Sequence, residues 1–401
     1  VPVIIIGAGL AGLRAAEGAR RAGYSGPLVM IGHEAHPPYD RPPLSKDFIT
    51  TPVPPDVTLR HPDELRDELQ LDLRLGAGAE ELDVVGKRVR VGREWLRYSA
   101  IVLACGHRSR TFHVDDPGQP LHPLRTMADA LRLRQRIDDG AERVAILGAG
   151  FIGSELASSA RARGVHVTLV SAVERPLADA IGEQASDALV RMHRANGVDV
   201  RLGCTIVGVG ASSVVLSDGS KVAADLVAYG IGGEPETEWL IGSGLELDAG
   251  GVMCDAFLQA APHVYAAGDI VSWPSEHFGR RLRSPHWTAA SEQGTCAGHN
   301  AVAADKERFD TVPYSWSDVY GTRLQFVGIA AGSEMVVVHD ELPDGGFLAL
   351  ARSGDQLSAA CGIDMRRKIV AARRHIRQRT PWNEVIDELV SDPRSAMAAT
   401  R

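Results

Sequence analysis

Cysteine is scarce in this 401-residue chain: there are five, Cys105, Cys204, Cys254, Cys296 and Cys361, and no two stand as close as CxxC. That number and spacing argue against a disulfide framework and a clustered metal site, and read as reduced thiols in a cytosol. Long apolar runs are missing as well, since none approaches the roughly 18 residues a membrane-crossing helix requires. An excess of positive charge is also absent: 43 Lys and Arg face 51 Asp and Glu, a formal net charge of −8. No global field therefore draws the chain to nucleic acid or an anionic membrane, and any charged partner must be met by a local patch. Val1 to Ile6 run straight into a glycine turn with no basic leader, so no export signal is expected and the cytoplasm is the expected location.

What is present is ordinary for a folded protein, 44% hydrophobic and 23% charged, and the length calls for two or three domains. Val3 to Ile6 reads as a short apolar strand, followed at once by Gly7-Ala8-Gly9-Leu10-Ala11-Gly12, a helical stretch to about Arg21-Ala22-Gly23, and a strand from Leu28 to Ile31. The same grammar returns at Val144 to Leu147, Gly148-Ala149-Gly150-Phe151-Ile152-Gly153, a helix to about Arg163, and a strand from Val165 to Val170. A lone GxGxxG occurs by chance in glycine-rich chains and reads as a tight loop. Two copies, each between a strand and a helix and each followed by another strand, point to two dinucleotide-binding units. The first glycine permits the turn, the second lets the backbone approach a pyrophosphate, and the third lets helix and strand pack. The helix N-terminus then meets the negative charge.

Pro37-Pro38-Tyr39-Asp40-Arg41-Pro42-Pro43-Leu44-Ser45-Lys46 reads as a rigid corner unsuited to starting a helix. A helix near Asp63 to Leu69, strands near 71 to 84, a hairpin over Arg88 to Tyr98 and a strand from Ser99 to Ala104 follow. The second unit continues through a helix at Glu183 to Asn196 and a hairpin around Ser217-Asp218-Gly219-Ser220, and ends after Leu226 to Tyr229. Val264 to Ala267 leads into Gly268-Asp269, and a helix is expected from about Thr288 to Ala304. From Thr311 a set of β-like runs precedes two helical stretches, Met365 to Arg377 and Trp382 to Val390.

With Pro38 to Asp47, Gly148 to Glu155, Tyr265 to Asp269, His286-Trp287 with Gln293-Gly294, and Tyr314-Ser315-Trp316-Ser317-Asp318 in place, the chain resembles a known family. It is similar to the FAD-dependent, NAD(P)H-dependent ferredoxin reductases that serve bacterial cytochrome P450s and ring-hydroxylating oxygenases, relatives of putidaredoxin reductase, rubredoxin reductase and apoptosis-inducing factor. The resemblance implies an α/β fold of two Rossmann-like dinucleotide-binding domains in a glutathione-reductase-like arrangement, plus an α+β C-terminal domain. It assigns FAD to residues 1–110 and 231–310, NAD(P) to residues 111–230, and the third domain to residues 311–401. Residues alone allow the reverse order of the two nucleotides.

The implied activity is NADH-dependent reduction of FAD followed by single-electron transfers to a [2Fe-2S] ferredoxin, with rubredoxin as an alternative acceptor. Gly7, Gly9 and Gly12 would hold FAD, and Gly148, Gly150 and Gly153 the nicotinamide dinucleotide. Glu34 is the candidate ribose acceptor on the FAD side, and Arg41 and Arg110 are candidates for its phosphates. Asp269, after Gly268, suits the ribityl hydroxyls, with a helix-capping aspartate as the alternative. By resemblance Lys46 reaches the isoalloxazine and Glu155 the nicotinamide carboxamide, forming an ion pair across the hydride site. A solvated lysine and a first-turn glutamate are the plain alternatives. Trp287 and Trp316 would wall the flavin, or simply pack a core.

Two departures from the family pattern stand out. Ser171 occupies the slot where an NADH-selective fold normally carries an acid, with Glu174 and Arg175 nearby, so NADH is expected while NADPH stays open. Pro285-His286-Trp287-Thr288 replaces the usual Glu and Asn around the aromatic. Residues 35 to 60 hold no cysteine, which speaks against a thiol relay and against the NAD(P)H oxidase or peroxidase alternative. A signalling flavoprotein like apoptosis-inducing factor is the alternative of a different class. No cysteine cluster can hold an iron-sulfur centre, so the acceptor is expected to be a separate protein. Arg280, Arg281 and Arg283, and the segment 366–379 with Arg366, Arg367, Lys368, Arg373, Arg374, Arg377 and Arg379, are the patches expected to steer it, unless they are merely solvated or internally paired.

Overall fold

The computed structural model describes residues 1–248, 250–330, 334–342 and 345–390. Two compact units emerge, one of Val1–Arg41, Asp56–Arg108 and Gly233–Thr311, the other of Pro42–Pro55, Ser109–Gly232 and Val312–Arg401. Residues 391–401 of the expected third domain lie outside the described residues.

In the first unit the strands Val3–Ile6, Leu28–Gly32, Leu71–Leu75 and Ala100–Leu103 pair in parallel, with Val3–Ile6 between Leu28–Gly32 and Ala100–Leu103. Val264–Ala266 joins beside Ala100–Leu103, so chain from beyond residue 233 completes the sheet that residue 3 begins. Val3 to Ile6, Leu28 to Ile31 and Ala100 to Leu103 are all buried, which is why each reads as an unbroken apolar run rather than an alternation. The helices Leu10–Arg21 and Trp287–Val302 cross at backbone contact. A Cβ on Gly298 would stand 2.0 Å from the Ala15 carbonyl oxygen, and one on Gly294 2.4 Å from that of Ala11. Small residues on both helices thus set the position of the first glycine turn.

The second unit holds a parallel sheet ordered Asp199–Arg201, His166–Val170, Arg143–Leu147, Leu226–Tyr229, Leu121–Pro123. It also holds a five-stranded antiparallel sheet: Tyr314–Val319, Thr322–Gly328, Gln356–Ile363, Phe347–Ser353, Glu334–Asp340. The helix Arg366–Gln378 lies on that sheet through Ile369, Ala372 and Ile376.

One local reading is corrected here. The proline corner does start helix: Pro42–Ser45 forms a 3-10 turn and Asp47–Thr50 an α-turn, because Pro is tolerated where the N–H would have no intrahelical acceptor. This segment lies in the second compact unit. It is tied there by Arg134, which donates to the carbonyls of Phe48, Thr51 and Pro52, and by Arg163, which donates to that of Ile49.

Candidate functional site

Both glycine turns have the geometry a pyrophosphate cradle needs. In the first, Gly7 has φ +116°, and a Cβ there would lie 2.0 Å from the Ala104 carbonyl oxygen. A Cβ on Gly12 would lie 1.9 Å from the Gly7 carbonyl oxygen, whereas nothing stands within 4 Å of one on Gly9. The outer glycines are therefore fixed by packing and the middle one faces open space. The second turn repeats this: Gly148 at φ +103° abuts the Gly230 carbonyl, Gly153 abuts that of Gly148, and Gly150 has its nearest neighbour at 3.9 Å. Gly9 and Gly150 are helix N-caps without a side-chain cap, so the first backbone N–H groups of both helices stay available to an anion. The residues present fit two dinucleotides.

Around the first turn lies a connected polar group. Glu34 accepts from Tyr39 Oη at 2.6 Å through one oxygen and from Arg41 Nη2 at 2.6 Å through the other. Arg41 and Glu34, read separately as phosphate and ribose contacts, are thus paired with each other. Gly268 has φ +82°, and its N–H donates to Gln293 Oε1 at 2.9 Å. Asp269 Oδ2 lies 2.5 Å from His107 Nδ1. The His107 ring fits only because residue 233 is glycine, since a Cβ there would stand 2.0 Å from its Cδ2. Burial lowers the His286 pKa, an effect the nearby Asp269 opposes and His107 reinforces. Trp287 is half-buried and donates from its indole to Asp40 Oδ1 at 2.7 Å.

In the second unit the helix Phe151–Ala162 carries Glu155, 3% exposed. Lys46 Nζ lies 2.8 Å from Glu155 Oε1. Two hydroxyls complete the carboxylate's shell: Ser317 donates to Oε1 at 2.7 Å, and Ser45 donates to Oε2. The sequence assigns neither serine a role, although both lie in segments that carry the family resemblance, Pro38 to Asp47 and Tyr314 to Asp318. Trp316 is half-buried and stacks on Tyr314, with centroids 6.0 Å apart. Arg110 is exposed and belongs to this unit rather than to the one bearing Gly7, and its backbone N–H donates to Gly232.

At the end of the second parallel strand, Ser171 is buried and turns its hydroxyl to the Val173 carbonyl. The Arg175 guanidinium is held by Glu183 at 2.6 Å and Asp187 at 3.2 Å.

The basic segments are uneven. Arg281 is turned toward the carbonyls of Cys254 and Ser272 and lies near Asp248. Because 280–282 is a strand, Arg280 and Arg281 point to opposite faces. On the helix Arg366–Gln378, helical spacing brings Arg366, Arg367, Val370, Arg373, Arg374 and Arg377 to one face. Val370 there is 62% exposed, while Arg374 pairs with Glu388. Among the described residues no cluster of His, Cys, Asp or Glu could hold a metal, and no helix is long and apolar enough to cross a membrane.

Residues 1–294 match the family described as pyridine nucleotide-disulphide oxidoreductase, and residues 314–400 match the reductase C-terminal family. The chain is 35% identical to the ferredoxin–NAD(+) reductase component of the anthranilate 1,2-dioxygenase system of Burkholderia cepacia, over 94% of each chain. It is 32% identical to the corresponding component of the p-cumate 2,3-dioxygenase system of Pseudomonas putida, over 98% of this chain and 96% of that one. Among solved structures, it superposes on the reductase of the covalent putidaredoxin reductase–putidaredoxin complex with a TM-score of 0.90 at 28% identity, covering 100% of this chain and 98% of that one.

Proposed function

This chain belongs to the pyridine nucleotide-disulphide oxidoreductase family, and on that premise we propose that it is a ferredoxin reductase of an oxygenase system. Bound FAD would supply the conversion between two-electron hydride chemistry with NADH and single-electron delivery to a [2Fe-2S] ferredoxin. The rest is the work of the chain's own residues. Gly7, Gly9 and Gly12 receive the FAD pyrophosphate, Asp269 its ribityl hydroxyls, and the Glu34–Arg41 pair its adenosine side. Trp287 and Trp316 remain candidate contacts of the flavin ring, and Gly148, Gly150 and Gly153 would receive the nicotinamide dinucleotide. Residues 1–110 with 231–310, 111–230 and 311–401 remain the proposed domains, with 42–55 serving the second.

One observation carries the chemical reading: a carboxylate that is almost fully buried is matched by one ammonium, Lys46 Nζ at 2.8 Å. A buried unpaired charge would be strongly destabilising, so each holds the other in place, and both sit beside a dinucleotide turn. We assign Glu155 to the nicotinamide amide and Lys46 to the flavin. The five unpaired thiols fit a reducing compartment, the cytoplasm.

Anaerobic rapid mixing tests the activity: NADH should bleach the flavin, and an added [2Fe-2S] ferredoxin should reoxidise it in single-electron steps. Bleaching without delivery to any ferredoxin would overturn it. For docking we favour the exposed face of the Arg366–Gln378 helix, where arginines ring Val370 in the manner of a charged rim about an apolar centre. Arg366→Glu with Arg377→Glu should weaken ferredoxin reduction severalfold at low salt and spare ferricyanide. Equal loss with both acceptors would move the docking face elsewhere.

A further inference from the structure

Four polar residues crowd one short stretch of the otherwise Ala-rich helix Phe151–Ala162, and each makes a bond outside the helix. Ser154 Oγ lies 3.1 Å from His193 Nε2, and Ser159 Oγ donates to the Ser45 carbonyl at 2.6 Å. Ser158 Oγ accepts from the Tyr320 N–H at 2.7 Å, and Glu155 carries the three contacts described above. Two of these anchors, Ser317 and Tyr320, come from the C-terminal sheet and its first turn. In the strand Tyr314–Val319, alternation turns Ser315, Ser317 and Val319 inward.

An ammonium alone does not fix a carboxylate. Lys46 Nζ meets Oε1 at 2.8 Å, and an ammonium, a point charge with no planar fork, leaves the carboxylate's broad, roughly two-fold terminal torsion weakly defined. Ser45 on Oε2 and Ser317 on Oε1 close that freedom without adding charge, and hydrogen bonds to an ionised acceptor are the stronger kind. We propose that Ser317 is a positioning residue of the nicotinamide site: it fixes the plane of the Glu155 carboxylate, with Ser45 as its counterpart, and so makes the C-terminal domain part of that site. This rests on the assignment of Glu155 to the nicotinamide amide.

The test is a double-mutant cycle on the FAD-loaded protein, read as equilibrium binding of NAD+ and, separately, as the limiting rate of flavin reduction by NADH. Ser317→Ala should keep FAD, lower the thermal midpoint modestly because a buried acceptor loses a donor, and weaken NAD+ binding by about tenfold, and Ser317→Thr should restore most of both. In a Glu155→Ala background, Ser317→Ala should add nothing further. Ser45→Ala, acting on the other oxygen, should show the same dependence and serves if Ser317→Ala fails to fold. An equal loss from the serine change with and without Glu155 would overturn the proposal. Should Glu155→Ala itself bind and reduce normally, the assignment of Glu155 falls first and the serine role with it.

Discussion

His107 Nδ1 and Asp269 Oδ2 lie 2.5 Å apart, in a space that Gly233 leaves open. The imidazole thereby helps to fix the Asp269 carboxylate, which we propose meets the ribityl hydroxyls. His107→Ala should weaken FAD retention by roughly tenfold, the scale of one hydrogen bond to a charged group. Gly233→Ala should match it by displacing the ring. Flavin fluorescence on dilution measures both, and undiminished retention in the two variants would remove His107 from the site.

We propose Arg175 as the residue that sets cofactor preference. It is the cation nearest Ser171 in sequence, and its guanidinium is engaged by Glu183 and Asp187. NADH should therefore reduce the flavin at lower concentration than NADPH. Neutralising both carboxylates, Glu183→Gln with Asp187→Asn, should release Arg175 and raise NADPH efficiency severalfold while leaving NADH nearly unchanged. A preference that does not move would place the discrimination elsewhere.

The nucleotide units were legible because their signals are local. The Gly7 and Gly148 turns, and the buried apolar strands on either side, need only neighbours in sequence to be recognised. The strand Gln356–Ile363 was not read: it lies between two others, most of its residues are buried, and its Ala, Cys and Gly side chains give no alternation. The helix Met127–Asp138 carries one local signal, the capping box of Thr126 and Asp129 at its start, but its many charged residues blur the apolar period that marks a helix in sequence. At the site, Lys46 and Glu155 were singled out by family pattern. Ser45 and Ser317 meet Glu155 from 110 and 162 residues away, and nothing local in a serine announces such a partner. His107 lacks a local signal for the same reason, since its space is made by a glycine far along the chain.

Arg134 shows how Lys46 is carried. It is 7% exposed and gives its guanidinium to three carbonyls at the end of the Asp47–Thr50 turn. That turn is too short to be stable by itself, so its geometry depends on this clamp. Arg134→Ala should destabilise the unit by about 2 kcal/mol, speed amide exchange over residues 46–52, and slow flavin reduction through displacement of Lys46. Unchanged exchange in that segment would show that Arg163 and Ser159 suffice.

His193 is 1% exposed, with Nδ1 2.6 Å from Tyr320 Oη and Nε2 3.1 Å from Ser154 Oγ. Burial pushes its pKa down from 6.5 to about 4, so the native imidazole stays neutral where the unfolded one is already charged. Between those values the unfolded chain binds more protons, and stability rises with pH. The contribution is complete above the unfolded pKa and is lost as pH falls toward the native one, amounting to about 2 kcal/mol between pH 7 and pH 5. His193→Gln keeps an amide in the seam and removes the titration, so its stability should depend less steeply on pH over that window. Urea midpoints of the two proteins measure the difference, and parallel pH profiles would mean that the charged imidazole is accommodated between Ser154 and Tyr320.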